Sequence, residues 1–380
     1  IMEKQFSSSS TYIMHRSAKY ISTLFFLCSF ACSQSSWEKK FIREINGLAY
    51  APVSKIPYTG EVFELDEMGN IVEQVFYKQG RREGESHYAG WFSNGQKQEE
   101  RNFAIGENDG YLTKWYNSGQ KEDQQIWKAG EKHGLWIHWY ANGQKQFEGN
   151  YVSGEKDGLW SYWYETGQKK QQGSYKTSKL FNGIYREWYP NGQKSIEGSY
   201  QDWQKDGLWT AWDEDGNKLY ATDYQAGEIH GQSTEYFISG SKRFQGTYKQ
   251  NQKDGMWQEW TESGFLVLEK QYVQGKLHGK WASYRGDGSK YWEGSYKDGL
   301  EDGRWTCWHE NGQKKSEGLF KEGSLYNGFY TEWNQKGIKT LEGKYIEWGK
   351  EGSWIGRDDF GNKKFQELYR NGDLIETKLF

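Results

Sequence analysis

Large apolar and polar positions alternate along Gly134–Tyr151 as two short strands around an Asn-Gly pair. Asn142-Gly143 predicts a two-residue type I′ turn, which needs positive φ at both central residues. Ala141 would then pair with Gln144, Trp136 with Gly149 and Gly134 with Tyr151. Side chains alternate with period two, so Gly134, Trp136, Gly149 and Tyr151 would share one face. Each large ring is expected to cover the bare backbone of a glycine across the strand.

The same pattern returns throughout the chain. The turn glycine falls at Gly69, Gly95, Gly119, Gly143, Gly167, Gly192, Gly216, Gly240, Gly264, Gly288, Gly312, Gly337 and Gly361. Nearly every step is 24 residues, which predicts a repeat array in which each unit contacts mainly its neighbours. The expected fold is all-β: an elongated antiparallel array of about thirteen 24-residue β-hairpin repeats.

Two aromatic columns run through the units. One holds Trp136, Trp160, Tyr185, Trp209, Trp257, Trp281, Trp305, Tyr330 and Trp354, and its cross-strand mates include Tyr151, Tyr175, Phe147 and Ile196. That face is the predicted core. The second column holds Trp91, Trp115, Trp139, Trp163, Trp188, Trp212, Trp260, Trp308 and Trp333. It points the other way if the strand is regular, among mixed neighbours such as Leu135, Thr210, Glu148 and Glu197. A bulge would swap the two faces.

Composition supports many short strands joined by tight turns: aromatics are 18% of the chain, with 47 glycines against three prolines. Net charge is −3 with the signs interspersed, which gives no nucleic-acid footprint. Residues 1–31 differ in kind. His15, Arg16 and Lys19 precede the apolar run Ile21 to Phe30, the order of a signal peptide whose translation is expected to start at Met14. The run is too short to span a bilayer as a helix. Cys32 after Ala31 resembles the lipobox of bacterial lipoproteins, although Ser29 stands where leucine is usual; the alternative is a secreted protein cut nearby. Residues 32–59 read as a linker or N-terminal cap and 60–109 as degenerate hairpins with an insertion near His87-Tyr88-Ala89. Regular repeats are expected over 110–361 and a closing hairpin over 362–380.

The unit Gly-x-Trp-x-x-Trp-Tyr-x-Asn-Gly-Gln-Lys-x-x-Glu-Gly-x-Tyr, seen at Gly134–Tyr151, resembles the bacterial variant of the MORN repeat. The resemblance covers about residues 60–370 and implies consecutive hairpins in an elongated antiparallel sheet. Eukaryotic relatives of that family are associated with membrane scaffolding and phosphoinositide lipids. No lysine or arginine column is expected to form a phosphate track here.

Candidate chemistry is sparse. Asp109, His133, Asp157, Asn182, Asp206, His230, Asp254, His278, Asp302 and Asn327 precede the strand glycines and could suggest a metal column. Successive hairpins advance by roughly 9.5 Å, too far for neighbours to share one ion. Turn chemistry is the better reading: Asp, Asn and His tolerate the left-handed region and bond their own backbone. The recurring Glu148, Glu197, Glu269, Glu293, Glu317 and Glu342 read as a solvated face beside lysines such as Lys145 and Lys194. Cys307 has no evident catalytic partner, and no nucleophile elbow, phosphate loop or zinc helix occurs. The sequence therefore predicts no enzyme, cofactor or metal. It predicts an envelope-anchored scaffold that binds a protein partner, held at the membrane by an N-terminal lipid on Cys32. The alternative is a glycan or cell-wall module using an exposed ladder of Trp115, Trp139, Trp163, Trp188, Trp212, Trp260, Trp308 and Trp333.

Overall fold

A computed structural model describes residues 36–82, 86–104 and 107–380; the expected signal peptide and Cys32 lie outside them. Apart from one turn of 3-10 helix at Lys39–Phe41, every regular element among the described residues is a strand. From Gly60 onward each strand pairs antiparallel with its sequence neighbour, ending in Lys363–Arg370 against Asp373–Leu379. The 33-stranded sheet is open. At its first edge Ser36–Glu38 runs parallel to Gly60–Leu65. Trp37, Ile42 and Ala51 pack on a small core of Ala49, Tyr58, Val62, Val75 and Tyr77, so this segment covers the first hairpin. His87, Tyr88 and Ala89, expected near an insertion, lie within a regular strand opposite Asn102, Arg101 and Glu100.

The central register is the one the sequence predicts: Gly134 faces Tyr151 and Trp136 faces Gly149. The turn that sets it is different. Tyr140 N–H donates to the Gln144 carbonyl at 2.8 Å, and Gly143 N–H donates to the Tyr140 carbonyl at 2.9 Å. Only Gly143, at φ 87°, is left-handed in this turn. The loop is thus three residues long, a type I turn closed by a glycine bulge, not type I′. A second irregularity between His138 and Trp139 restores the register. Two one-residue offsets cancel.

The type I′ turns sit at the opposite edge, between units. Val152 pairs with Glu155 around Ser153 (φ 48°) and Gly154 (φ 81°). Four of these turns have no glycine: Thr177-Ser178, Asp202-Trp203, Gln250-Asn251 and Glu347-Trp348 all have positive φ. Such backbone costs about 1–2 kcal/mol per residue, and each second residue gains a compensating contact with an earlier segment. Ser178 Oγ accepts Lys156 N–H at 3.0 Å, and Asn251 Oδ1 accepts Ile229 N–H at 2.7 Å. Trp203 packs on Phe181 with ring centres 4.9 Å apart, and Trp348 packs on Tyr326 at 4.7 Å.

Each hairpin meets the next through a kink. Glu148 faces Ser161 and Asn150 faces Asp157, so Gly158, Leu159 and Trp160 stand opposite Gly149 alone. Gly158 takes φ 74° at this point. The kink swings Trp160 back over the preceding hairpin.

Candidate functional site

The first aromatic face is the core. Trp160, Trp209 and Trp354 are each 1% exposed, and Trp136 and Trp305 are also buried. The sequence places a ring over the glycine opposite it in the same hairpin; the structure puts the next unit's ring there. A Cβ added to Gly149 would fall inside the Trp160 indole, and Gly198, Gly246, Gly294 and Gly343 stand in the same relation to Trp209, Trp257, Trp305 and Trp354. Trp160 Nε1–H donates to the Asn150 carbonyl at 3.0 Å, and Trp209 donates likewise to Ser199 at 3.1 Å. The preceding unit's tyrosine meets the indole edge-on: Tyr151–Trp160 at 5.0 Å and 85°, Tyr200–Trp209 at 5.2 Å and 89°. A lysine tops four of these five stacks, with Lys156 Nζ 4.4 Å from the Trp160 ring centre and Lys205 4.2 Å from Trp209, and Lys253 and Lys350 over Trp257 and Trp354. Burial pulls the Lys205 ammonium below its usual range. It lifts the Tyr175 phenol to about 12, with Tyr162 and Tyr200 adding smaller effects.

The second face carries the expected tryptophan ladder, but it is not bare. Trp115, Trp139, Trp163, Trp188, Trp212, Trp260, Trp308 and Trp333 are all half-buried. Each is overlaid by a lysine of the preceding hairpin, from Lys97 over Trp115 at 5.4 Å to Lys121 over Trp139 at 6.0 Å. These lysines stand two residues after the turn glycine and recur in eleven of thirteen units, a column the sequence reading did not recognise. They do not form a free phosphate track, because most also bind a glutamate three residues on. Lys194–Glu197 is 3.1 Å and Lys339–Glu342 is 2.8 Å, and Lys145–Glu148, Lys290–Glu293 and Lys314–Glu317 repeat the contact. The Arg186 hydrogen bond, then Lys194, holds Glu197 below the usual carboxylate range. Ser161, Thr210, Thr234 and Thr306 are buried among the ladder, and Cys307 is 1% exposed. The Cys307 thiol is pushed up by burial and serves packing.

None of the residues before the strand glycines is left-handed. Three of them reach the next inter-unit turn. Asn182 Oδ1 accepts Asp202 N–H and Asn327 Oδ1 accepts Glu347 N–H, both at 2.7 Å. Asp206 accepts Ala226 N–H at 3.4 Å. The turn asparagines also bridge units: Asn142 Oδ1 accepts Gln144 N–H at 2.9 Å while its Nδ2–H donates to the Glu165 carbonyl at 2.7 Å. Asn191 and Asn311 repeat that donation to Glu214 and Gln335. Among the described residues no group of three or more His, Cys, Asp or Glu side chains could hold a metal ion.

Two places break this regularity. Ser233 occupies the core-tryptophan position, and Thr222 replaces the glycine that would receive its ring; their hydroxyls lie 2.8 Å apart. Lys270 replaces the next such glycine but one and faces Trp281. Between these departures a cavity of about 280 Å³ opens on the aromatic face, lined by Ser233, Glu235, Phe244, Tyr248, Lys253, Trp257, Lys270 and Tyr272 among others. Trp257 is only half-buried there. Sequence reasoning missed the cavity, although the paired loss of Trp and Gly at 233 and 222 was legible.

These features define a class: a linear β-hairpin repeat scaffold with both faces bound unit to unit. Residues 132–153, 156–177, 181–202 and 301–322 each match the MORN repeat variant family. No curated protein matches the sequence. Among solved structures, the TcdB2-TccC3 crystal structure aligns at 10% identity over 83% of this chain and 20% of its own, with a TM-score of 0.18. The Photorhabdus luminescens Tc holotoxin pore gives 10%, 82%, 18% and 0.18 in the same measures. This chain therefore spans about a fifth of the length of these neighbours, and the likeness carries no argument about function.

Proposed function

We propose that this chain is a non-enzymatic scaffold, exported and lipid-anchored at Cys32 in a bacterial envelope, whose sheet binds a protein partner. One observation carries the binding reading. Tyr111, Leu135, Leu159, Ile184 and Leu208 occupy the same position in five consecutive hairpins and are 40–59% exposed. They are more exposed than the half-buried ladder tryptophans beside them. Exposed apolar rows rimmed by polar side chains mark protein interaction surfaces, and a repeat array presents such a row over an extended surface.

The test is capture from native envelope with the wild-type chain and with Leu159→Glu/Leu208→Glu. A partner retained by the first and lost from the second supports the reading. Equal capture by both removes the apolar row as the docking surface. Cys32→Ser tests the anchor separately: the protein should leave the detergent-phase membrane fraction for the soluble one.

A further inference from the structure

We propose that the segment covering the first hairpin carries a membrane-docking patch of Ile45, Leu48, Val53 and Ile56, and that its partner is an anionic lipid surface. The patch lies outside the repeats and rests on the anchoring at Cys32 proposed above. Alternation along the short strand Arg43–Ile45 sets its direction. Glu44 faces the buried Ala49, so Arg43 and Ile45 point away from the small core. Arg43 faces Tyr50 and Ile45 faces Leu48. Tyr50 in turn bridges to Pro57, and Arg43 Nη2–H donates to the Ser54 carbonyl at 3.1 Å. The loop 51–57 therefore borders the same face, and Ile56 lines a shallow cavity with Leu48, Pro57 and Arg81 among others.

The apolar side chains here stand far out in water. Val53 is 95% exposed and Ile56 is 76% exposed. Ser54 N–H donates to the Ala51 carbonyl at 3.1 Å, closing a turn with Pro52 and Val53 at its centre. Proline fixes a negative φ, so Val53, at φ 58°, holds the place that such turns give to glycine. A β-branched residue is strained there. Burial in an apolar phase would compensate for both the strain and the exposure. The rim is cationic. Arg43, Lys78 and Arg81 border the patch, and the exposed Lys55 stands between Ser54 and Ile56. Apolar side chains ringed by lysine and arginine are the pattern of an interfacial contact with anionic lipid. Position agrees with chemistry. Cys32 precedes Ser36 by four residues, which reach at most about 14 Å. Acyl chains on Cys32 would tether the protein, and the patch would fix how the first hairpin lies on the surface.

The experiment reconstitutes the full lipidated chain in vesicles of phosphatidylcholine and phosphatidylglycerol. A nitroxide is placed at Ile56→Cys or, as a control on a repeat turn, at Ile238→Cys; Cys307 is buried and escapes labelling. Ile56 and Ile238 are 76% and 75% exposed, so neither change should unfold the chain. The Ile56→Cys label should meet oxygen dissolved in lipid and be shielded from an aqueous nickel chelate. The Ile238→Cys label should show the reverse. A second arm sediments the unlipidated Cys32→Ser chain with the same vesicles. Ile45→Glu combined with Ile56→Glu should weaken its binding by at least about tenfold, and vesicles of phosphatidylcholine alone should bind the parent less tightly. Equal access of the chelate to both labels overturns the proposal, as does vesicle binding unchanged by the two glutamates. Shielding at Ile56→Cys that needs added envelope extract assigns the patch to a protein and overturns the lipid reading. If Cys32→Ser leaves membrane fractionation unchanged, the anchor reading falls alone, because sedimentation of the unlipidated chain still decides the patch.

Discussion

The Trp160 indole rests directly on the Gly149 backbone of the preceding hairpin, leaving no room for a Cβ. Gly149 is not left-handed, so its need is for space and not for backbone freedom. Alanine in an extended strand is ordinarily better than glycine by about 0.5–1 kcal/mol. Here the sign should reverse, with Gly149→Ala costing about 1–3 kcal/mol, as overpacked interiors do. Trp160→Ala should cost about 3–5 kcal/mol. In a linear array the loss should appear first around that hairpin and its neighbours. Hydrogen exchange resolved by residue checks both points, and a gain of stability in Gly149→Ala would refute the packing argument.

Trp163 lies on the other face under a different cover. Its ring is half-buried, with Lys145 Nζ 5.8 Å from the ring centre. Truncation to alanine should cost less than at Trp160, about 1–2 kcal/mol for the partial burial lost. Lys145→Ala should cost up to about 1 kcal/mol through the lost cation–π contact. Urea unfolding of the three variants gives the order Trp160→Ala, Trp163→Ala, Lys145→Ala. Equal losses at Trp160 and Trp163 would mean that the second face is as tightly packed as the first.

Much of this architecture was legible because one periodic constraint governs both local and tertiary structure. The pairing of Trp136 with Gly149 follows from counting outward from Asn142-Gly143, yet the count succeeds through two cancelling offsets. The turn type was misread because Asn-Gly suits two loops, and only backbone dihedrals separate them. Interactions between units were the least legible. Lys145 reaches Trp163, Asn142 reaches Glu165 and Asn182 reaches Asp202, each across about one repeat. A pattern read within one unit shows that such residues recur but not which neighbour they serve. The Ser233 cavity is a departure from the period, and a consensus reading passes over it.

The two kinds of turn make opposite predictions for the same substitution. Asn142 is not left-handed, and its side chain joins Gln144 to Glu165. Asn142→Gly should therefore destabilise by about 0.5–1.5 kcal/mol for each hydrogen bond lost. Ser153 sits at φ 48° in a type I′ turn and makes no side-chain hydrogen bond among the described residues. Ser153→Gly should stabilise by about 1 kcal/mol, because glycine enters that region without steric cost. Thermal unfolding of both variants suffices. A stabilising Asn142→Gly would restore the type I′ reading of that turn.

Alkaline pH should open the array through its tyrosine column. Burial raises the Tyr175 phenol from its ordinary value of 10.0 to about 12, with Tyr162 and Tyr200 contributing further. Tyr185 and Tyr330 are raised by burial and by donating to Glu187 and Glu332. Tyr151, Tyr200, Tyr224, Tyr248, Tyr272 and Tyr296 are also raised, burial being the main cause. In the unfolded chain each titrates near 10, so above that pH the unfolded state loses protons that the folded state keeps. The stability these phenols confer is fully present below about pH 10 and is lost as pH rises through their folded values. Unfolding free energy should be flat in this respect from neutrality to about pH 9.5 and then fall steeply. Phenolate absorbance and tryptophan fluorescence, followed together, should change in one cooperative step above pH 10. Gradual phenolate formation near pH 10 with fluorescence unchanged would show that the column is open to water.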